Sequence, residues 1–363
     1  LSDSNPQILQ VFFTFVLKSV KNILIIQTAF IGDVILALPL AQRLKQAFPK
    51  AMIHFLIRKG NESLLEKHPA IDQLWIWDKK THKSLHLWQL IQALRTIEFD
   101  LVINCQRFFS TGLLAAMMKT NERRGFQENP WAFTYTFKTP HTKSKIGVTP
   151  YIHEIDRNLQ LLQGICSVTA ERPQLHIMPG HRKKIAHYVG SYVVLAPASV
   201  WFTKQWPTER WQELVSRIPE NINCLIIGAT GDAHMAQQIL KHASRGENLC
   251  GKLTLMESAA LMENAIRVIS NDSAPLHLAS AVNAPVTGIF CSTIPAFGFF
   301  PLSDDSIMLE SQQPLKCRPC GLHGKKSCPE GHFKCGYNIN AQMVMDTIKF
   351  LAHKNPQSTT ESL

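Results

Sequence analysis

A chain of 363 residues is too long for one ordinary hydrophobic core and suits two domains. With 45% hydrophobic and 18% charged residues it has enough apolar material for buried sheets, which argues against a disordered chain. The formal net charge of +11 points to anionic partners, and charge alone does not choose among nucleic acid, anionic membrane and phosphorylated substrates.

The apolar stretch at 11–17 lacks a basic leader and a small-residue cleavage site, so it reads poorly as a signal peptide. Residues 1–20 are read as an extension before the domain that starts at Lys21; the competing reading is a segment resting on a membrane surface. No run of about 18 apolar residues is present to span a bilayer.

From Lys21 the pattern alternates strand and helix, the signature of a mostly parallel sheet. Strands are expected at 23–27, 52–57, 73–77 and 100–104, with helical apolar spacing at 34–47, 61–67 and 85–97. After Asn104 the pattern weakens through a stretch rich in Arg, Lys, Thr and Pro at about 119–150, and a helix is expected over 153–163. Arg172-Pro173 and Pro179-Gly180 bracket a linker.

The second half restarts the rhythm. Strands are expected at 192–196, 223–228, 266–270 and 286–290, and helices from Thr208, its expected N-cap, and at 233–243, 255–264, 275–282 and 340–352. The expected fold class is α/β: a first doubly wound domain over 21–175, a second over 185–340, and a C-terminal helix and tail over 341–363.

Four strand exits carry residues fit for chemistry. After Ile23–Ile26 comes Gln27-Thr28-Ala29-Phe30-Ile31-Gly32-Asp33, where Gly32 permits close backbone approach and Asp33 stands at the strand mouth. Spacing alone leaves Asp33 open between a catalytic carboxylate and a helix N-cap. After Ile266–Ile269 comes Asn271-Asp272-Ser273-Ala274-Pro275-Leu276-His277, a carboxylate, a hydroxyl and an imidazole around one helix start. Pro275 suits an early helical position, and free N–H groups there could hold a diphosphate or sugar hydroxyls. The plainer reading is capping by Asp272 or Ser273, with His277 a core histidine.

The third exit is the loop 197–207, where Lys204 stands among aromatics as a mobile cation for a phosphate or as an ordinary surface lysine. The fourth, Gly228 to Asp232, is a glycine turn able to admit a nucleotide, without the G-x-G-x-x-G pattern.

In this order and spacing the blocks QTAFIGDVILALP, KQWPTERW and SNDSAPLHLASAV resemble the hallmark segments of glycosyltransferase family 9, the bacterial lipopolysaccharide heptosyltransferases. HEIDRNLQLL (153–162) and LCGKLTLMESAALMENA (249–265) are similar to further family segments, so the resemblance covers roughly residues 21–350. It implies a GT-B architecture of two Rossmann-like domains facing across a cleft, the first binding acceptor and the second donor. It also implies inverting transfer of heptose from ADP-heptose to the inner core of lipopolysaccharide (a Kdo-lipid A type acceptor).

On this chain the resemblance makes Asp33 the general base, Lys204 the contact to the donor phosphates and Asp272 the holder of heptose hydroxyls. Ser273, Ala274, Pro275 and His277 fill the adjoining donor loop, and Ser199 lies near the diphosphate. The sequence departs from the family in two places. Ala29 and Phe30 stand where some members have a Ser pair, and Ala274 stands where many have Gly, which a methyl allows only if φ there is negative. With Lys204 and a helix N-terminus to meet the leaving charge, no divalent ion is expected in catalysis. Cytoplasmic location, at the inner face of the inner membrane where the lipid acceptor is built, follows from the resemblance, and the net positive charge agrees with it.

Lys138, His141, Lys143 and Lys145 form a run without acids, preceded by Arg123-Arg124; these cations either meet acceptor phosphates and carboxylates or coat a solvated loop. Of nine cysteines, Cys105, Cys166, Cys224, Cys250 and Cys291 lie in or beside apolar runs as small core residues. Cys317, Cys320, Cys328 and Cys335 are spaced C-x₂-C-x₇-C-x₆-C within a cationic loop at 316–336, which suits a structural zinc, with free thiols or a disulfide as alternatives. A basic, Cys-rich nucleic-acid-binding protein is the rival from another class; it leaves the paired strand–turn–helix units unexplained, and no aromatic-basic RNA signature occurs, so nucleic acid is not an expected partner. Another GT-B enzyme with a different nucleotide sugar, or a sugar-nucleotide epimerase of that fold, is the nearer rival.

Overall fold

The computed structural model describes residues 20–352. The apolar stretch at 11–17 and the tail beyond 352 lie outside the described residues. The chain divides into two compact units, residues 1–176 and 177–363.

The first unit is a six-stranded sheet of β1 (Asn22–Ile26), β2 (Met52–Arg58), β3 (Gln73–Trp77), β4 (Phe99–Asn104), β5 (Thr120–Phe126) and β6 (Phe137–Thr139). All pairs are parallel, in the order β3-β2-β1-β4-β5-β6. Ile23 to Ile26 are fully buried, as expected of a central parallel strand covered on both faces. Helix α1 (Ile31–Ala47) follows β1 directly and buries Val34 through Ala41 and Leu44. Next in chain order come α2 (Lys83–Leu94), α3 (Phe109–Met117) and α4 (Glu154–Leu159).

The second unit repeats the plan with β7 (Tyr192–Ala196), β8 (Asn223–Ile226), β9 (Gly246–Asn248), β10 (Arg267–Asn271), β11 (Val286–Phe290) and β12 (Ser306–Glu310), again all parallel. The order β12-β11-β10-β7-β8-β9 is that of the first unit when strands are counted from each unit's own start. Its helices in chain order are α5 (Pro179–Ile185), α6 (Thr208–Arg217), α7 (Ala233–Leu240), α8 (Leu255–Glu263), α9 (Ala274–Ala281), α10 (Lys334–Tyr337) and α11 (Ala341–Ala352). Trp211, Leu214 and Val215 of α6 are fully buried, each worth roughly 1.5–3 kcal/mol relative to exposure. Thr254 opens α8 with a reciprocal cap: its hydroxyl accepts from Glu257 N–H while the Glu257 carboxylate accepts from Thr254 N–H.

The expected α/β fold of two Rossmann-like units is therefore found. Four local expectations need correction. The helix expected at 61–67 is a single 3₁₀ turn at Glu62–Leu64. Pro207, not Thr208, occupies the cap position of α6. The weak stretch after Asn104 holds α3, β5 and β6. β5 reads TNERRGF, and its charged residues hid the strand because their side chains find partners inside the fold. In the second unit β9 and β12 were also missed; both carry polar or half-exposed residues at a sheet edge.

Candidate active site

The order in which strands are added reverses between β1 and β4, and again between β7 and β10. Open parallel sheets bind ligands outside the carboxyl ends of the strands flanking such a reversal. The exits of β1, β7 and β10 are the turns that the sequence singled out.

In the second unit, Asn271 ends β10 and Ser273 caps α9 with extended backbone (φ −154°, ψ 177°) and no side-chain hydrogen bond to the helix. Asp272 between them does not cap either. Its Oδ2 accepts from the Thr293 hydroxyl at 2.6 Å and pairs with Lys204 Nζ at 2.7 Å. Lys204 keeps 16% of its side chain exposed and Asp272 7%, so this ion pair lies largely out of water, where its attraction is screened little. Lys204 closes a 3₁₀ turn (Phe202–Lys204) after β7.

The backbone of that loop is anchored to β10 by one amide. Asn271 donates from Nδ2 to Pro197 O at 2.6 Å and accepts from Trp206 N–H at Oδ1, 3.0 Å. Both ends of 197–206 are thus tied to the same side chain. Trp206 is itself buried and donates to Ile339 O at 2.8 Å. Ser199 is half-buried on the loop, and its carbonyl accepts from Gln205 Nε2. The Ser273 hydroxyl lies 3.5 Å from Ala198 O, so the two loops touch.

Ala274 is not among the described residues with positive φ, so its methyl is accommodated without strain. Pro275 sits in the first turn of α9, and His277 is buried with its ring against Phe299. At Gly228 an added Cβ would lie 2.9 Å from Asp232 Oδ2 and 3.0 Å from Cys250 Sγ, so this exit requires glycine for packing. Asp232 itself caps the following turn by accepting from Ala229 N–H.

In the first unit Asp33 lies in the first turn of α1, half-buried, and its Oδ2 accepts from Phe30 N–H at 3.1 Å. Phe30, not Asp33, is the N-cap residue of α1; Asp33 stands two positions inside the helix start and bonds back to the N-cap amide, which orients its carboxylate. Gly32 precedes it in the same turn.

Across the reversal, Gln106 follows β4 and accepts from the Thr28 hydroxyl at 2.7 Å. Lys79, beyond the end of β3, donates to Thr28 O and Oγ1 at 2.8 and 2.7 Å and stands 4.5 Å from the Trp77 ring. Burial, helped by the nearby charges of Lys83 and Arg58, pulls its pKa down to about 8. Sequence reasoning passed over Gln106 and Thr293 and took Asp78-Lys79-Lys80 for a solvated loop, whereas Lys79 is half-buried against Thr28 and Trp77. The signal available was position: each follows a parallel strand whose neighbours end at the same rim.

Arg123 and Arg124, expected at the acceptor, are committed to the scaffold. Arg123 donates to the carbonyls of Ala115, Thr134 and Met118 at 2.7, 3.0 and 3.0 Å. Arg124 is buried, paired with Glu122, bonded to Leu161 O and Gln163 O, and stacked over Phe137. Lys143 is exposed on an irregular loop, while His141 of the same run is buried against Glu154 at 3.1 Å.

The cysteine-rich segment has Cys317 Sγ 3.9 Å from His332 Nε2, and all four thiols are free of disulfides. Among the described residues no group of three or more His, Cys, Asp or Glu is arranged to hold a metal ion. A cavity of about 480 Å³ in the first unit, lined by Gln42, Lys45, His68 and Glu171 among others, sits at the C-terminal end of α1, at the other end of that helix from Asp33. No helix among the described residues is long and apolar enough to cross a membrane.

Comparison with known proteins adds the following. The family described as glycosyltransferase family 9 (heptosyltransferase) matches residues 87–330. The chain is 26% identical over 288 residues to lipopolysaccharide heptosyltransferase 3 of Escherichia coli K12, covering 73% of this chain and 81% of that protein. It is 23% identical over 356 residues to lipooligosaccharide heptosyltransferase 2 of Haemophilus influenzae, covering 92% and 100%. Among solved structures, the glycosyl transferase family 9 protein of Veillonella parvula superposes with a TM-score of 0.80 at 22% identity, covering 92% of this chain and 98% of that one. The ADP-heptose lipopolysaccharide heptosyltransferase II of E. coli superposes with a TM-score of 0.73 at 18% identity, covering 92% and 99%.

Proposed function

The chain belongs to glycosyltransferase family 9, the heptosyltransferases, and from that premise we propose that it transfers heptose from ADP-heptose to the inner core of lipopolysaccharide with inversion at the anomeric carbon. The observation that carries this reading is the Lys204–Asp272 pair at the N-terminus of α9, on the carboxyl edge of the second sheet. A cation, a carboxylate and a helix N-terminus at one strand exit suit a sugar joined to a diphosphate. Asp272 and Ser273 bind sugar hydroxyls, Lys204 and Ser199 meet the diphosphate, and Gly228 lets the nucleotide approach.

Attack by an acceptor hydroxyl requires removal of its proton, and Asp33 takes it. As the acceptor oxygen bonds to the anomeric carbon, the bond from that carbon to the diphosphate oxygen breaks and charge builds on the departing ADP. Lys204 leaves the Asp272 carboxylate for that phosphate, and the N-terminal end of the α9 dipole shares the load. Turnover on this reading needs no divalent ion.

The acceptor is an anionic lipid-linked sugar, met by the first unit and by cations such as Lys79 and Lys143. We place the enzyme on the cytoplasmic face of the inner membrane, where its positive charge favours an anionic surface. The test is transfer from ADP-heptose to heptose-deficient lipopolysaccharide, run beside UDP-glucose and UDP-N-acetylglucosamine. Heptose transfer supports the reading; transfer from another donor alone overturns it.

A further inference from the structure

The cysteine-rich segment, which the proposed chemistry leaves unused, is stitched onto the loop that carries Lys204. Thr203 N–H donates to Lys325 O at 3.1 Å, and Lys325 N–H donates back to Thr203 Oγ1 at 2.8 Å. Ser292, just past β11, donates its hydroxyl to Thr203 Oγ1 at 3.0 Å and its N–H to Thr203 O at 3.2 Å, while its own carbonyl accepts from Cys320 N–H at 3.0 Å. Gly324 adopts φ +78°, and a Cβ added there would stand 3.2 Å from Lys204 Cγ. The segment therefore touches the backbone before Lys204 and the stem of Lys204 itself.

Arg318 completes the arrangement. Its Nε donates to Cys291 O at 2.7 Å, and one terminal nitrogen donates to Phe290 O at 3.0 Å and Thr293 O at 2.7 Å. The other terminal nitrogen pairs with Glu310 at 2.7 Å, and only 10% of the arginine side chain is exposed. Three carbonyls of the β11 exit, those of Phe290, Cys291 and Thr293, are thus gripped by one planar fork, a geometry that lysine cannot reproduce. Thr293, the last position gripped, is the residue whose hydroxyl reaches Asp272 Oδ2, the same oxygen that holds Lys204.

We propose that Arg318 is a positioning residue for the donor-phosphate lysine. By fixing Thr293 it keeps the Asp272 carboxylate occupied from a second side. Lys204 can then exchange that carboxylate for a phosphate without leaving it unpaired, since a buried acceptor stripped of its donors is costly. This inference rests on the reading of Lys204 as the diphosphate contact, and it gives the cysteine-rich segment a role without any metal.

The experiment is a double-mutant cycle on the full chain, with ADP as the probe in titration calorimetry and ADP-heptose in kinetics. Arg318→Ala is expected to weaken ADP binding about tenfold, with KM for the donor rising more than kcat falls. In a Lys204→Ala background the same substitution is expected to change ADP affinity less than twofold, because its partner in the effect is gone.

Additive losses in the two backgrounds, or wild-type affinity in Arg318→Ala, would overturn the proposal. Should Arg318→Ala not fold, as judged by circular dichroism, Thr293→Val carries the same cycle, and Thr293→Ser is expected to restore binding to within about twofold of wild type; failure of serine to do so also overturns it. If wild-type protein binds no ADP, the functional reading fails; if wild type binds and the cycle is additive, only the positioning role does.

Discussion

Lys204 and Asp272 face each other at 2.7 Å in a largely buried ion pair, 68 residues apart in sequence and on the exits of adjacent strands. The lysine so placed is pre-aimed at the α9 N-terminus, with a partner that must release it when a diphosphate arrives. Lys204→Ala should therefore lower kcat/KM for the donor about a hundred- to a thousandfold, the usual cost of removing one donor to developing charge. Asp272→Asn, which leaves Lys204 without its counter-charge, should fall further in affinity for the sugar than for ADP alone. Comparing ADP and ADP-heptose binding in that variant checks the division of labour.

Asp33→Asn should lose about a hundred- to ten-thousandfold in turnover while donor affinity stays within a factor of two. The substitution is nearly isosteric, and the asparagine carbonyl can still accept the Phe30 N–H that now bonds Asp33. Single-turnover rates beside donor titrations read both quantities. Equal losses in rate and affinity would make Asp33 part of the scaffold.

Turnover should survive chelation. If Lys204 and the N-terminus of α9 supply the stabilising charge, EDTA leaves the rate unchanged, and added Mg²⁺ does not raise it. A rate abolished by EDTA and restored by Mg²⁺ would count against the mechanism.

Lys79 should titrate near pH 8, because burial disfavours its charged form and Lys83 and Arg58 repel it. Methyl NMR of reductively ¹³C-methylated protein, assigned with Lys79→Arg, measures the midpoint. If its cation contacts the acceptor, acceptor KM rises as pH climbs through about 8 in wild type and stays flat in Lys79→Arg.

Glu154 is buried between His141 at 3.1 Å and Arg157 at 2.7 Å. Burial favours its neutral form, but the hydrogen bond with His141 and the charge of Arg157 outweigh this and hold its pKa below the ordinary 4.5. A carboxyl depressed in the folded state contributes stability above its unfolded pKa and loses it as pH falls through the folded value. Urea midpoints should therefore drop below about pH 4.5 more steeply in wild type than in Glu154→Gln. At pH 7 that variant should be destabilised by about 3–5 kcal/mol, since Arg157 is left buried without its acid.

The strands that set the two sheets were legible because Ile23–Ile26 is a short apolar run ended by a polar turn, and Ile266-Arg267-Val268-Ile269 is one broken by a single arginine; such runs have few ways to be buried. The turns at Gly32-Asp33 and Asn271-Asp272 marked the candidate sites for the same reason. β5 was not legible: two adjacent arginines argue for solvent until the fold shows Arg123 and Arg124 spending their donors on carbonyls up to 39 residues away. The Thr293–Asp272 bond was hidden too, since a threonine has no pattern of its own and only the pairing of β10 with β11 brings it there. Cysteine spacing suggested a metal, and it does not report the bonds that Arg318 and the backbone of Lys325 make to the β11 exit and to Thr203.

Asn271 holds Pro197 at one end of the Lys204 loop and Trp206 at the other. Anyone transplanting this loop to alter donor preference must therefore carry the asparagine with it, although it lies on a different strand. Exchanging the contiguous stretch alone would deliver the lysine on an untethered arch, and chimeras should be cut so that β7, its loop and the end of β10 come from one parent.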